Sequence, residues 1–290
     1  MKKNKTSSSK TTKRKIPFLW KNLQYLKEDL LVFWKPISGV VAVYGILYAF
    51  VVLGFNFIIP IFTSSTSTGV LASEQNLDTI TKLLNNMSNS VVFVTGDEAS
   101  TAVQFLLFIV GFMALVSILR RTRKLGSAKI SDAYFDGTGQ FVSIIVIFIF
   151  FLIFLIPLSI GSTILLSGIS FASTAMESIG IGVVFLLLSI LTIWLYMKYW
   201  PAVYIATLPS IRPLFALKQA AELTKGYKLN IFFQFLGFSL ITLIAILILF
   251  TPIGILLPKI APYWLFIIML AIFASTISFG FIVYRSLVDD

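Results

Sequence analysis

Long uncharged apolar runs alternate along this chain with short polar and basic connections. A bilayer core about 30 Å thick takes about 20 consecutive apolar residues to cross as an α-helix. Six runs meet that length: residues 37–61, 99–119, 141–160, 180–197, 231–250 and 263–284. None of them contains a charged side chain. The pattern predicts an all-α, polytopic membrane protein with six transmembrane helices. Residues 162–176 are also uncharged but rich in Ser, Gly and Ala, and read as a loop or a partly inserted segment.

Shorter elements carry a different pattern. Leu19, Leu23, Leu26, Leu30 and Phe33 step by four, three, four and three, which makes one apolar helix face. Lys21, Asn22, Gln24, Lys27, Glu28 and Asp29 fill the other face, and Trp20, Tyr25 and Trp34 suit the headgroup level. Such an amphipathic helix is expected to lie along the inner membrane surface. A second short helix is expected over 128–136, capped by Ser127 and stopped by Gly137. A third is capped by Ser210, with Leu214, Leu217 and Ala221 on one face, Lys218, Glu222 and Lys225 towards the other, and Gly226 as its stop. The chain thus divides into three units, each a surface helix followed by a membrane hairpin. Pro157 and Pro252, at comparable places in the second and third units and each followed by a similar apolar stretch, suggest an internal duplication.

Charge sets the expected orientation. Of the 23 Lys and Arg, ten lie in the first 35 residues, five follow the second run, five follow the fourth, and Arg285 closes the last. Only Lys82 and Lys259 lie on the opposite side. By the positive-inside rule both termini are cytoplasmic. Residues 1–18 read as a disordered basic tail and 19–290 as the membrane domain, with an external loop over 62–98. That loop is acidic on balance, offers a helical pattern at Leu77, Ile80, Leu84 and Met87, and holds a sequon at Asn86. The net charge of +11 and pI near 9.8 would otherwise raise a nucleic-acid partner. Basic residues that all flank span ends are explained by topology and anionic lipid, so no nucleic acid is expected.

Composition narrows the chemistry further. The chain is 58% hydrophobic and 12% charged, with mean hydropathy +0.95. It has neither His nor Cys, which removes disulfides, thiolate nucleophiles, imidazole bases and every His or Cys zinc site. No cofactor, metal or catalytic residue is expected. Asp132 and Asp136 stand one helical turn apart, with no further ligand nearby in sequence. Within the apolar runs no ionisable group marks an ion or proton path. Asn56 and Gln104 are placed to hydrogen-bond between the first two spans. Lys21, Lys27, Lys218, Lys225 and Lys228 are the candidate contacts for anionic lipid headgroups or for a protein partner at the cytoplasmic face.

Two resemblances converge on one stretch. Ala216, Ala220 and Leu223-Thr224-Lys225-Gly226, followed by Ile231-Phe232 and an apolar span, resemble the signature of the membrane domain of glycerophosphoryl diester phosphodiesterases and its stand-alone relatives. Ala220 stands where that signature usually has Ser, and no acidic residue lies over 204–210. In such proteins the hydrolytic chemistry resides in a separate barrel. The resemblance therefore implies a non-enzymatic accessory or scaffold module tied to phospholipid handling. Residues 219–226 also resemble the cytoplasmic docking loop of ABC-type permeases, with the glycine one residue late. That implies the alternative, a permease subunit that borrows an ATPase.

Overall fold

The computed structural model describes residues 19–62, 98–125, 129–171, 174–209, 211–257 and 260–288, and among them there is no strand. The described residues form ten helices in order: α1 (Leu19–Val32), α2 (Trp34–Phe62), α3 (Glu98–Leu125), α4 (Ile130–Thr138), α5 (Phe141–Phe171), α6 (Ala175–Tyr199), α7 (Ala202–Ala206), α8 (Pro213–Leu223), α9 (Lys228–Leu256) and α10 (Ala261–Val288). The six long ones, α2, α3, α5, α6, α9 and α10, are each long and apolar enough to cross a membrane. Their order matches the six predicted runs, and α1, α4 and α8 precede the three long pairs as expected. The basic tail and the external segment with its helical pattern and sequon lie outside the described residues.

Packing is uneven around the bundle. In α3, 56% of the spanning stretch is buried and in α10 50%, against 6% in α6. These two helices are therefore the centre, and α2, α9 and the α5–α6 hairpin surround them. Packing is also uneven along the bundle. The core takes the second halves of α3 and α10 and the first turns of α5 and α9, together with α7 and the inward faces of α1 and α8. All of these lie at the end where the basic residues gather. The opposite halves of α5, α6 and α9 present Leu and Ile outwards, as lipid-facing helices do.

Aromatic rings join the layers. Phe273 of α10 stacks on Tyr44 of α2 at 4.6 Å and leans on Phe108 of α3 at 5.5 Å. Phe238 of α9 stacks on Phe279 of α10 at 4.2 Å. The α5–α6 hairpin is tied by the Tyr196 hydroxyl, which donates to the carbonyl of Phe151 at 3.0 Å. The α9–α10 hairpin has the equivalent tie, Trp264 Nε1 donating to Leu249 at 3.1 Å.

Several sequence expectations are corrected. Residues 162–171 are not a loop: α5 runs unbroken through Pro157 to Phe171, and α6 begins at Ala175 behind a capping box of Thr174 and Glu177. At 31 residues, α5 is about 46 Å long. Its glycines face α6, where a side chain at Gly161 would meet Leu188 at 3.3 Å and one at Gly168 would meet Ile181 at 2.8 Å. Small residues there let two helices approach, which is their role in membranes. Gly137 is likewise no stop signal but lies inside α4, where a side chain would meet the backbone of Met113 at 3.2 Å. The caps also move. Lys129 precedes α4, while Arg212 precedes α8 with Pro213 in its first turn.

The expected surface face of α1 is turned inward. Leu26 is buried in the core, and Leu19, Leu23, Leu30 and Phe33 pack against it. A side chain at Gly237 of α9 would meet Leu19 at 2.5 Å. Asn22, assigned to the polar face, is fully buried and donates through Nδ2 to Gln234 Oε1 of α9 at 2.9 Å. At the far end of α1, Asp29 pairs with Arg123 of α3.

Candidate functional site

The basic end of the bundle is built by reversals of the chain. At Trp200 the chain leaves α6 and enters α7 through Pro201, and every residue of α7 is buried. Tyr204 lies in that short helix and donates its hydroxyl to the carbonyl of Ile277 in α10 at 3.2 Å. A side chain at Gly280 would collide with the Tyr204 hydroxyl. The last carbonyls of α7 are taken by Arg120 of α3, which donates to Tyr204 at 2.6 Å and Thr207 at 2.9 Å. A guanidinium suits this role because its donors fork in one plane.

The next reversal joins α8 to α9. The Thr224 hydroxyl lies 3.0 Å from the carbonyls of both Lys198 in α6 and Ala220 in α8, so its proton is shared between a local and a cross-helix acceptor. Gly226 has φ +89, a left-handed conformation that glycine adopts without penalty. The chain then turns back, and Lys228 opens α9 beside α6. Its ammonium sits 4.1 Å from the centre of the Trp194 ring. Lys198, one helical turn beyond Trp194, reaches the same indole at 5.2 Å and the Tyr199 ring at 4.7 Å.

The structure therefore divides the five candidate lysines. Lys218 and Lys225 are exposed on and just after α8, and Lys27 is exposed on α1. Lys21 is exposed too, 5.8 Å from the ring of Tyr25. Lys228 departs from that free-surface role, being half-buried against Trp194. Sequence reasoning missed Lys198 and Trp194 as members of the group. Their spacing of four residues on one helix was the available signal, but nothing in the sequence places Lys228 beside them.

Two of the described acidic groups at this end are engaged. Asp29 is held by Arg123, and Asp132 by Arg121 at 3.0 Å. Asp132 thus serves an ion pair between α3 and α4 rather than joining Asp136, whose side chain lies outside the described residues. Glu28 and Glu222 remain exposed among a larger number of exposed lysines. In α4 the Tyr134 hydroxyl donates to Val40 of α2 at 3.0 Å, and burial pushes that phenol up to about 12. Gln104 is buried in α3, whereas the side chain of Asn56 lies outside the described residues.

No family model, curated protein or solved structure matches the chain.

Proposed function

We propose that this chain is a non-enzymatic, multi-pass module of the cell membrane, with both termini cytoplasmic, whose basic end holds anionic phospholipid headgroups. The observation that carries the reading is the segregation of charge at the packed end of the bundle. Lys21, Lys27, Lys218 and Lys225 are exposed there, while Asp29 and Asp132 are consumed by arginines. A basic surface next to a bilayer attracts the anionic inner leaflet, at about 1 kcal/mol per lysine near the surface. The resemblance to the membrane domain of glycerophosphoryl diester phosphodiesterases agrees with a role beside phospholipid rather than a reaction of its own. The Thr224 and Gly226 of that stretch serve as a cross-helix tie and a turn.

The test is lipid enrichment. Purified protein is reconstituted in nanodiscs of phosphatidylcholine with a minor share of phosphatidylglycerol, and the lipid retained after delipidation is weighed by native mass spectrometry. Replacing Lys21, Lys27, Lys218 and Lys225 together by alanine is expected to abolish the enrichment of phosphatidylglycerol. Unchanged enrichment would sink the proposal. The permease alternative draws on one observation, the exposure of Leu214 and Phe215 on α8 beside Lys218. Co-purification of a stoichiometric ATPase, lost on Phe215→Ala, would favour it instead.

A further inference from the structure

Two ammonium groups on one indole pose an electrostatic problem. Lys198 and Lys228 belong to different helices, and each lies within cation–π reach of Trp194, at 5.2 and 4.1 Å. They are no further apart than those two distances laid end to end. Among the described residues no carboxylate pairs with either lysine. The electron-rich indole offsets part of the cost of bringing two cations to it, but it supplies no countercharge.

The surroundings hold this arrangement in place. Trp194 and Lys198 share a face of α6, while Lys228 is delivered by a turn that Gly226 makes possible and that Thr224 fastens to the carbonyl of Lys198. The two lysines stand at the ends of neighbouring spans, Lys198 late in the one ending at Ala206 and Lys228 at the start of the one ending at Gly254. Trp194 is 45% exposed, so the group is open, and an indole in the last turns of a spanning helix suits the headgroup level.

We infer that Lys198, Lys228 and Trp194 form a discrete site for one phosphomonoester headgroup of a membrane lipid. A monoester carries a charge of about −1.5 to −2 at neutral pH, which matches two ammonium groups, whereas a phosphodiester carries a single charge. Each ammonium donates charge-assisted hydrogen bonds to the phosphate oxygens, and the indole lies against the glycerol and upper acyl carbons. The inference rests on the proposed headgroup-holding role but adds a stoichiometry of one, a headgroup class and residues that the general basic surface does not require.

The experiment uses the full chain in phosphatidylcholine nanodiscs with phosphatidic acid, with phosphatidylglycerol, or with inorganic phosphate in the buffer, and counts retained ligands by native mass spectrometry. One tightly held phosphatidic acid is expected, at occupancy about tenfold above phosphatidylglycerol, because the second ammonium is matched only by the monoester. Lys198→Gln and Lys228→Gln each remove it, Lys228→Arg retains it, and Lys218→Ala with Lys225→Ala leaves it in place. Melting temperatures of the variants confirm that they fold. Equal retention in both Gln variants, or equal occupancy by phosphatidylglycerol, overturns the site. Displacement of the lipid by millimolar inorganic phosphate overturns the lipid as the source of the anion. If diffuse enrichment of anionic lipid persists while no single lipid is retained, the site fails and the broader role stands. If both vanish, the broader role fails with it.

Discussion

Tyr204 reaches the carbonyl of Ile277 only because residue 280 has no side chain. The phenol is buried, and its hydroxyl occupies the space that a methyl at position 280 would need. Gly280→Ala is therefore expected to destabilise the fold by about 1–3 kcal/mol, the usual range for overpacking a filled interior. Tyr204→Phe removes the hydroxyl and its hydrogen bond, a loss of about 1 kcal/mol. The two changes touch the same atoms, so they should not add. In the double variant the alanine methyl enters the space vacated by the hydroxyl, and its stability should exceed that expected from the two single losses. Denaturation of all four proteins in one detergent gives the cycle. Strict additivity would show that the collision is relieved by backbone movement instead.

At the scale of elements, α1 is the helix whose environment differs most from its sequence pattern. A stripe of Leu19, Leu23, Leu26, Leu30 and Phe33 is equally suited to lipid and to protein, since period alone does not say what covers a face. The informative residue was Asn22. Next to that stripe it looked like part of a wet face, yet it meets Gln234 across the protein interior, and no local pattern reports a partner more than 200 positions away. The chain contains no cysteine, so single cysteines report directly on the two environments. Leu26→Cys is expected to react slowly with both aqueous and membrane-permeant maleimides, while Trp20→Cys and Leu31→Cys, at 68% and 64% exposed positions, react readily. Fast modification of Leu26→Cys by the permeant reagent alone would put the stripe back in the lipid.

The elements differ in how far their own residues announce them. The six spans were, because a run of about 20 uncharged residues has few other uses. Residues 162–171 were not, because Ser, Gly and Ala mark loops in water but close helix contact in lipid. The α7 helix was not legible either. Five apolar residues behind Pro201 look like the tail of a span, and their complete burial depends on Arg120, Gly280 and α8 arriving from elsewhere. For the candidate site the lysines could be read singly, but their division into exposed ones and a pair sharing Trp194 arises from the turn at Gly226.

At the scale of the whole molecule, tight packing and positive charge occupy the same end. The second half of α3, the start of α9, α7 and α8 form a closed core there, whereas the far half of the α5–α6 hairpin has little protein around it beyond its own partner. This arrangement gives a rigid, basic platform at one membrane surface and mainly lipid-facing helices at the other. Its biological meaning depends on which surface is cytoplasmic, because the anionic leaflet that would engage the platform is the inner one. Lys225 and Met176 stand at opposite ends of the bundle, both exposed, the latter by 84%. In intact cells a membrane-impermeant maleimide should modify Met176→Cys and spare Lys225→Cys until the membrane is permeabilised. The reverse pattern would turn the platform away from the anionic leaflet and remove the physical basis for headgroup capture, however well the isolated protein retained lipid in nanodiscs.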